Sequence, residues 1–407
     1  MTVDVKLDGL LDEAAALQPR TVALRRSLHR HPEIGLQLPR TQQATLDAIG
    51  DLGLRVHTGR SVTSVVAVLD GAAPGPTVLL RGDMDALPLR EDTGLEFASQ
   101  VDGAMHACGH DTHVAMLAGA ARILAARRQD LTGRVVFMFQ PGEEGLHGAR
   151  YMLEEGLLEV AGDGAAPVGA AFALHISTQY ESGTLNLRPG PTMASGDRIE
   201  IVVNGRSGHA SAPYRSLDPV PIACEIVQAL QAVVTRTVDV FDPAVITIAR
   251  IAAGTTHNII PERAEMLGTM RTLSEANREA LRARVIQVAE GIAAAHGTTA
   301  SVDVEAGYPV TVNDPAAAEL LGGVTADLVG ADRVRTLPDP VMGSEDFSYV
   351  LQRVPGAMAF LGGCPPGTQP EQSPPNHSRQ VVFDEDALTV GVATYAGVAL
   401  RRLAAGG

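Results

Sequence analysis

At 407 residues the chain is long for a single compact core, and two domains are expected. Its 32 Lys and Arg against 47 Asp and Glu leave a net charge of −15, which repels nucleic acid phosphates and anionic membranes and points to a small-molecule partner. Three separated cysteines, Cys108, Cys224 and Cys364, make no disulfide framework, and the first twenty residues show no secretion signal, so a cytoplasmic protein is expected.

Along the first half, short apolar runs alternate with helical periods. "SVVAVLD" (64–70) and "TVLLRGD" (77–83) read as buried strands, and "DTHVAMLAGAARILAARR" (111–128) as a helix. "RVVFMFQ" (134–140), "HGARYMLEEGL" (147–157) and "AAFALHI" (170–176) continue as strand, helix and strand. This order predicts an α/β fold with a mostly parallel sheet and flanking helices. Over 189–306 the grammar changes. "DRIEIVVNG", a helix from 217, "AVITIARI", "RAEMLGTMRT", a helix capped by Ser274 and "ASVDVEA" give βαββαβ, a ferredoxin-like module. The expected layout is a discontinuous domain, 1–188 with 307–407, interrupted by a smaller lid domain, 189–306. "ALTVGVATYAGVAL" (387–400) is too short for a bilayer span and reads as a buried terminal helix. Cys224, inside an apolar helical stretch, reads as core.

Ligands of parallel sheets gather at the carboxyl ends of strands, and polar residues collect there. Asp83 and Asp85 follow one strand, Glu143 and Glu144 another, and His175 a third, while "MHACGHDTH" (105–113) opens a helix. Divalent metal explains these together, since thiolate, imidazole and carboxylate bind zinc and its neighbours. Cys108 and His110, one glycine apart, would turn to one centre, whereas His113 reads as an ordinary helix residue. The rival is a Cys/His nucleophile, which leaves the paired glutamates unexplained. A metal- or ligand-sensing binding protein is the non-enzymatic alternative.

Eight stretches in order, "LHRHPEIG" (28–35), "RGDMDALPL" (81–89), "MHACGHDTH", "FQPGEEG" (139–145), "GRSGHASAP" (205–213), "HNIIPE" (257–262), "GSEDFSY" (343–349) and "NHS" (376–378), resemble the aminoacylase and carboxypeptidase group of dinuclear metallohydrolases. The nearest branch holds hippurate hydrolase and the indole-acetyl-amino-acid hydrolases. The resemblance implies two divalent ions (Zn, Mn, Co or Ni) on Cys108, His110, Glu144, His175 and His377, with Cys108 bridging and Glu143 as general base. It gives Asp85 an orienting role and leaves the role of Asp83 open, because other branches carry a metal-binding histidine there. It implies a lid that forms a homodimer or higher homo-oligomer, with His209 reaching an active site, and Asn258 and Arg271 near the substrate's carboxylate or reacting carbonyl. The activity implied is hydrolysis of N-acyl amino acids, with a metallo-exopeptidase or dipeptidase as the alternative. Plainer readings exist: His209 would satisfy a Gly- and Ser-rich turn, Arg271 pair with an acid, and Asn258 serve the turn before Pro261.

Overall fold

The computed structural model describes residues 7–160, 162 and 166–405, so the first six residues of the amino-terminal stretch read above lie outside it. The chain divides into two compact units, Met1–Thr192 with Val312–Asp339 and Asp346–Gly407, and Met193–Thr311 with Pro340–Glu345. The smaller unit starts and ends four or five residues later than the sequence pattern suggests, and it gains 340–345. That return segment is held by its backbone: Ala194 N–H donates to the Val341 carbonyl at 3.0 Å.

In the larger unit eight strands form one sheet. Its centre runs Thr132–Gln140, Ala73–Asp83, Val168–Ser177 and Gly356–Gly362, all parallel. These strands are buried for most of their length, as the continuous apolar runs demand when helices cover both faces. Toward the edges the sheet is mixed rather than parallel. Val65–Asp70 and Arg55–Thr58 add antiparallel on one side, and Leu185–Leu187 pairs antiparallel with Gly356–Gly362 on the other. Arg55–Thr58 and Val65–Asp70 follow each other through a short connection, which an antiparallel pair permits, whereas the other two antiparallel pairs join strands distant in the chain.

Helix His110–Ala126 is buried almost all round, as an apolar helix without a polar face must be. It packs between Leu10–Arg30 and Ala387–Ala404. Tyr395 ties the last helix to the sheet centre, donating to the Arg81 carbonyl at 2.6 Å and accepting Leu174 N–H at 2.8 Å. Among the described residues no helix is long and apolar enough to cross a membrane.

The smaller unit carries strands Gly196–Asn204, Ala244–Ala253, Arg263–Thr272 and Ala300–Tyr308, with helices Pro219–Thr237 and Glu275–Ala295 between them in βαββαβ order. All its strand pairs are antiparallel, and the second and fourth strands form the edges. Alternate residues such as Ile199, Ile201 and Val203 face the helices. Asp218 and Ser274 cap the helices by accepting Val220 and Asn277 N–H. Cys224, expected in the core, is exposed. Ile222, Ala223, Ile226 and Leu230 take the inward stripe, and Cys224 falls on the outer face beside Glu225.

Candidate metal centre

The chemistry collects at the carboxyl ends of the central parallel strands. Asp83 and Gln140 end two of them, His175 lies near the end of a third, and His110 opens the helix that follows "HACG". Gly109, between Cys108 and His110, has φ 87°, and a Cβ there would sit 2.4 Å from Ile176 Cγ2. Only glycine makes this left-handed turn without a clash, and the turn directs both neighbours to one point.

Cys108 Sγ lies 3.3 Å from His175 Nε2 and 3.2 Å from His377 Nε2, and His377 Nε2 lies 3.3 Å from Glu144 Oε1. His110 Nε2 is 4.0 Å from both Glu143 Oε2 and Glu144 Oε1. Six residues from four segments thus converge. Of five candidate ligand groups among the described residues, two, Cys108–His110–His175 and Cys108–Glu144–His377, share the sulfur, and another joins Asp83 and His113 to His110.

Backbone carbonyls fix the ring orientations. His110 Nδ1 donates to the Asp85 carbonyl and His175 Nδ1 to the Ile176 carbonyl, each at 2.8 Å, so when the rings are neutral their lone pairs are on Nε2. Asp85 does more with its carboxylate. Its oxygens accept the backbone N–H of Glu143 at 2.9 Å and of Glu144 at 3.0 Å, which holds the two glutamates in one turn.

Divalent metal fits these residues. His110 Nε2 and Glu144 Oε1 are buried and make no hydrogen bond, a costly arrangement unless another partner takes them. Ligand atoms at about 2.0–2.3 Å from a tetrahedral ion are roughly 3.3–3.7 Å apart, close to the spacings around Cys108. Burial pushes the Cys108 thiol up and the His175 imidazole well down, so the thiolate needs a cation nearby while His175 stays neutral. Burial also opposes charge on His110, yet Asp83 and Cys108 outweigh it and raise its pKa well above the usual value, so a cation taking Nε2 would displace a proton there. A nucleophilic cysteine needs the opposite environment, a lowered pKa and access.

Three of the expected residues lie in the smaller unit. His209 and Asn258 come together there: His209 pairs with Ile259 in a two-stranded ribbon, and Ala210 N–H donates to the Asn258 carbonyl at 3.1 Å. His209 Nδ1 accepts Ser211 N–H at 3.1 Å, leaving a proton on the exposed Nε2. Arg271 does not join them. It sits at the other end of the Arg263–Thr272 strand, donating to Ser344 Oγ at 3.1 Å. Arg271 is eight positions from Arg263, a span of roughly 26 Å along an extended strand, and the ribbon joins the chain at the Arg263 end.

Sequence reasoning missed several supports. Asn376 Nδ2 donates to the carbonyls of Cys108 at 3.1 Å and Ile176 at 2.9 Å. It braces His377, which adopts φ 68°, a conformation that costs a non-glycine residue about 1 kcal/mol or more. Beneath the site Arg81 pairs with Asp83 at 2.6 Å and with Asp346 at 3.3 Å, and Gln140 Nε2 donates to Asp346 at 2.7 Å. Asp346 thus belongs to a buried network beneath the site. The only sequence signal for Asn376 was its place beside His377 in "NHS". His29 is structural, bound to Asp111 at 2.8 Å, and Cys364 Sγ is turned to the Thr368 carbonyl at 3.3 Å.

A two-unit α/β chain with a thiolate, imidazole and carboxylate cluster at its strand ends has the build of a metallohydrolase. Residues 79–401 match the peptidase family M20/M25/M40, and the chain belongs to that family of amide hydrolases. Thermostable carboxypeptidase 1 of Saccharolobus solfataricus is 38% identical over 402 residues, 97% of this chain and 98% of its own. N-acetylcysteine deacetylase of Bacillus subtilis is 38% identical over 386 residues, 95% and 97% of the two chains. Among solved structures, a dinuclear metal-binding peptidase of the M20 family from Bacillus subtilis superposes with a TM-score of 0.80 at 35% identity, covering 96% of this chain and 99% of that one.

Proposed function

We propose that the protein hydrolyses the amide bond of N-acyl amino acids in the cytoplasm, using two divalent ions, Zn, Mn, Co or Ni, held by Cys108, His110, Glu144, His175 and His377. The observation that carries this reading is the pair of ligand groups sharing Cys108, with Glu143 held beside them by Asp85. Bound there, the ions would lower the pKa of a water from about 16 toward 7 and polarise the scissile carbonyl. Glu143 takes the proton of the attacking water and returns it to the departing amine, base first and acid later. Asp85 keeps Glu143 and Glu144 in register. His209, protonated on Nε2, donates to the oxygen on which charge develops, and Asn258 and Arg271 hold the substrate's carboxylate end.

The separation of His209 from Arg271 within one copy supports a homodimer. A small substrate held by Arg271 of one subunit meets the His209 and Asn258 of the other. Mixing Glu143→Ala and His209→Ala proteins then regenerates activity through sites with both residues intact, and no recovery after verified subunit exchange removes the shared site.

The core reading is tested by metal content and turnover together. Glu143→Ala keeps its ions and loses several orders of magnitude in kcat, while His110→Ala loses metal as well. Normal turnover of Glu143→Ala overturns the base assignment. The name of the archaeal relative, a carboxypeptidase, favours a second reading as a metallo-exopeptidase. N-acyl amino acids and unblocked dipeptides assayed side by side separate the two, since a free α-amine needs a counter-charge that an acyl group does not.

A further inference from the structure

Two fully buried residues of the metal motifs, Asp83 and His113, have no part in the function proposed above. Asp83 stands where an imidazole ligand would be expected in other branches, and His113 read as an ordinary helix residue. The structure joins them. Arg81 Nη1 lies 2.6 Å from Asp83 Oδ2, and His113 Nδ1 donates to Asp83 Oδ1. A carboxylate only accepts, so the proton of His113 is on Nδ1. Its Nε2 therefore carries a lone pair, which accepts Ile176 N–H at 2.8 Å. Both neighbours of the ring demand the same tautomer. The contact also has a backbone cause. The ladder between Ala73–Asp83 and Val168–Ser177 ends at Arg81↔Ala173, so the Ile176 N–H lies past the last strand pairing on that side and meets the imidazole instead.

Ile176 touches the metal-ligand segments in three ways. Its carbonyl accepts from His175 Nδ1 at 2.8 Å and from Asn376 Nδ2 at 2.9 Å, and its Cγ2 lies where a Cβ on Gly109 would strike it. Asn376 in turn braces His377. One residue thus orients a histidine from each ligand group.

We propose that Asp83 and His113 are positioning residues for the metal centre: Asp83, paired with Arg81, sets the His113 tautomer, and His113 anchors Ile176, which orients His175 directly and His377 through Asn376. This rests on the reading that those histidines hold ions. It gives the aspartate at position 83 a task behind the ligands in place of a seat among them. Hydrogen-bond partners behind metal ligands typically change metal affinity about 10–100-fold when removed.

The test loads metal-stripped protein with Co2+ alone and follows the number bound, the affinity against a competing chelator, and the thiolate-to-cobalt and d–d absorption bands. His113→Leu keeps the ring's bulk approximately and removes both hydrogen bonds; binding at both sites weakens about 10–100-fold and the bands shift. His113→Gln offers Nε2–H to Asp83 and Oε1 to the Ile176 N–H, and it restores most of the affinity and the spectrum. Asp83→Asn sets an amide donor against either Arg81 or His113 and weakens binding like His113→Leu, which serves if the leucine variant fails to fold. Asn376→Ala weakens one site only. Wild-type affinity and bands in His113→Leu or in Asp83→Asn overturn the proposal, as does a glutamine variant no better than the leucine one. Two ions bound by the wild type with no effect of these variants leave the metal reading standing; no cobalt uptake by the wild type overturns the metal reading and the relay with it.

Discussion

Both units bury paired charge, and the larger one also buries charge that is left open. In the smaller one, Asp197 and Arg278 form a closed pair: Arg278 Nη2 and Nε donate to Asp197 at 2.7 and 2.8 Å, Gly307 N–H adds a third bond at 3.0 Å, and Arg278 also reaches the Gly307 carbonyl. In the larger one, His110 Nε2 and Glu144 Oε1 stay buried without a hydrogen bond although acids and imidazoles surround them. Saturated polar groups are scaffolding. Groups that the fold leaves unsatisfied at the strand ends mark where something else must bind, and that difference separates a structural ion pair from a site.

Breaking the closed pair should give the largest loss of stability. Arg278→Ala strands a buried carboxylate and should cost about 3–5 kcal/mol, read as a lowered denaturant midpoint for the smaller unit. Persistence of the wild-type midpoint would show that Asp197 is not held by this pair. Next comes Gly109→Ala, which forces a side chain into φ 87° and against Ile176 Cγ2 at 2.4 Å. Strain and overpacking together should cost about 2–4 kcal/mol and lower the metal content, both measurable on the purified protein.

A third, smaller effect depends on pH. Burial opposes charge on His29, but Asp111 and Glu91 outweigh it, so the folded pKa is raised above the ordinary histidine value of 6.5. The stability His29 adds is fully present below its unfolded pKa and is lost as pH rises through the folded one. The gap in melting temperature between wild type and His29→Leu should narrow as pH rises above about 6.5, and a widening gap would reverse the sign. Smallest of all is Cys224→Ser. With the side chain on the outer face of its helix, unfolding free energy should move by less than about 0.5 kcal/mol, whereas a core cysteine would cost more.

Much of this was legible in the chain. Unbroken apolar runs such as Val135–Phe139 read as strands covered on both faces, and alternation in Arg198–Val203 as a sheet covered on one, and both are strands. Cys108, His110, Glu143, Glu144 and His175 stood out as chemistry next to such runs, while His377 was implied only by the family resemblance of "NHS". Cys224 misled because an apolar stretch in a helix of an antiparallel module still has an outer face, and composition does not say which residue falls there. The antiparallel edges of the large sheet were hidden for a similar reason. Strand direction depends on connections between segments, and no residue pattern inside a strand records it.

Period and residue type, both local, determined which segments became strands and helices and which side chains could bind metal. Tertiary structure alone decided that Asn376, 268 positions from Cys108, donates to that residue's carbonyl, and that Asp83 reaches Ile176 through His113. Hydrogen bonds act over about 3 Å, and only the folded backbone brings partners so distant in the chain within that reach.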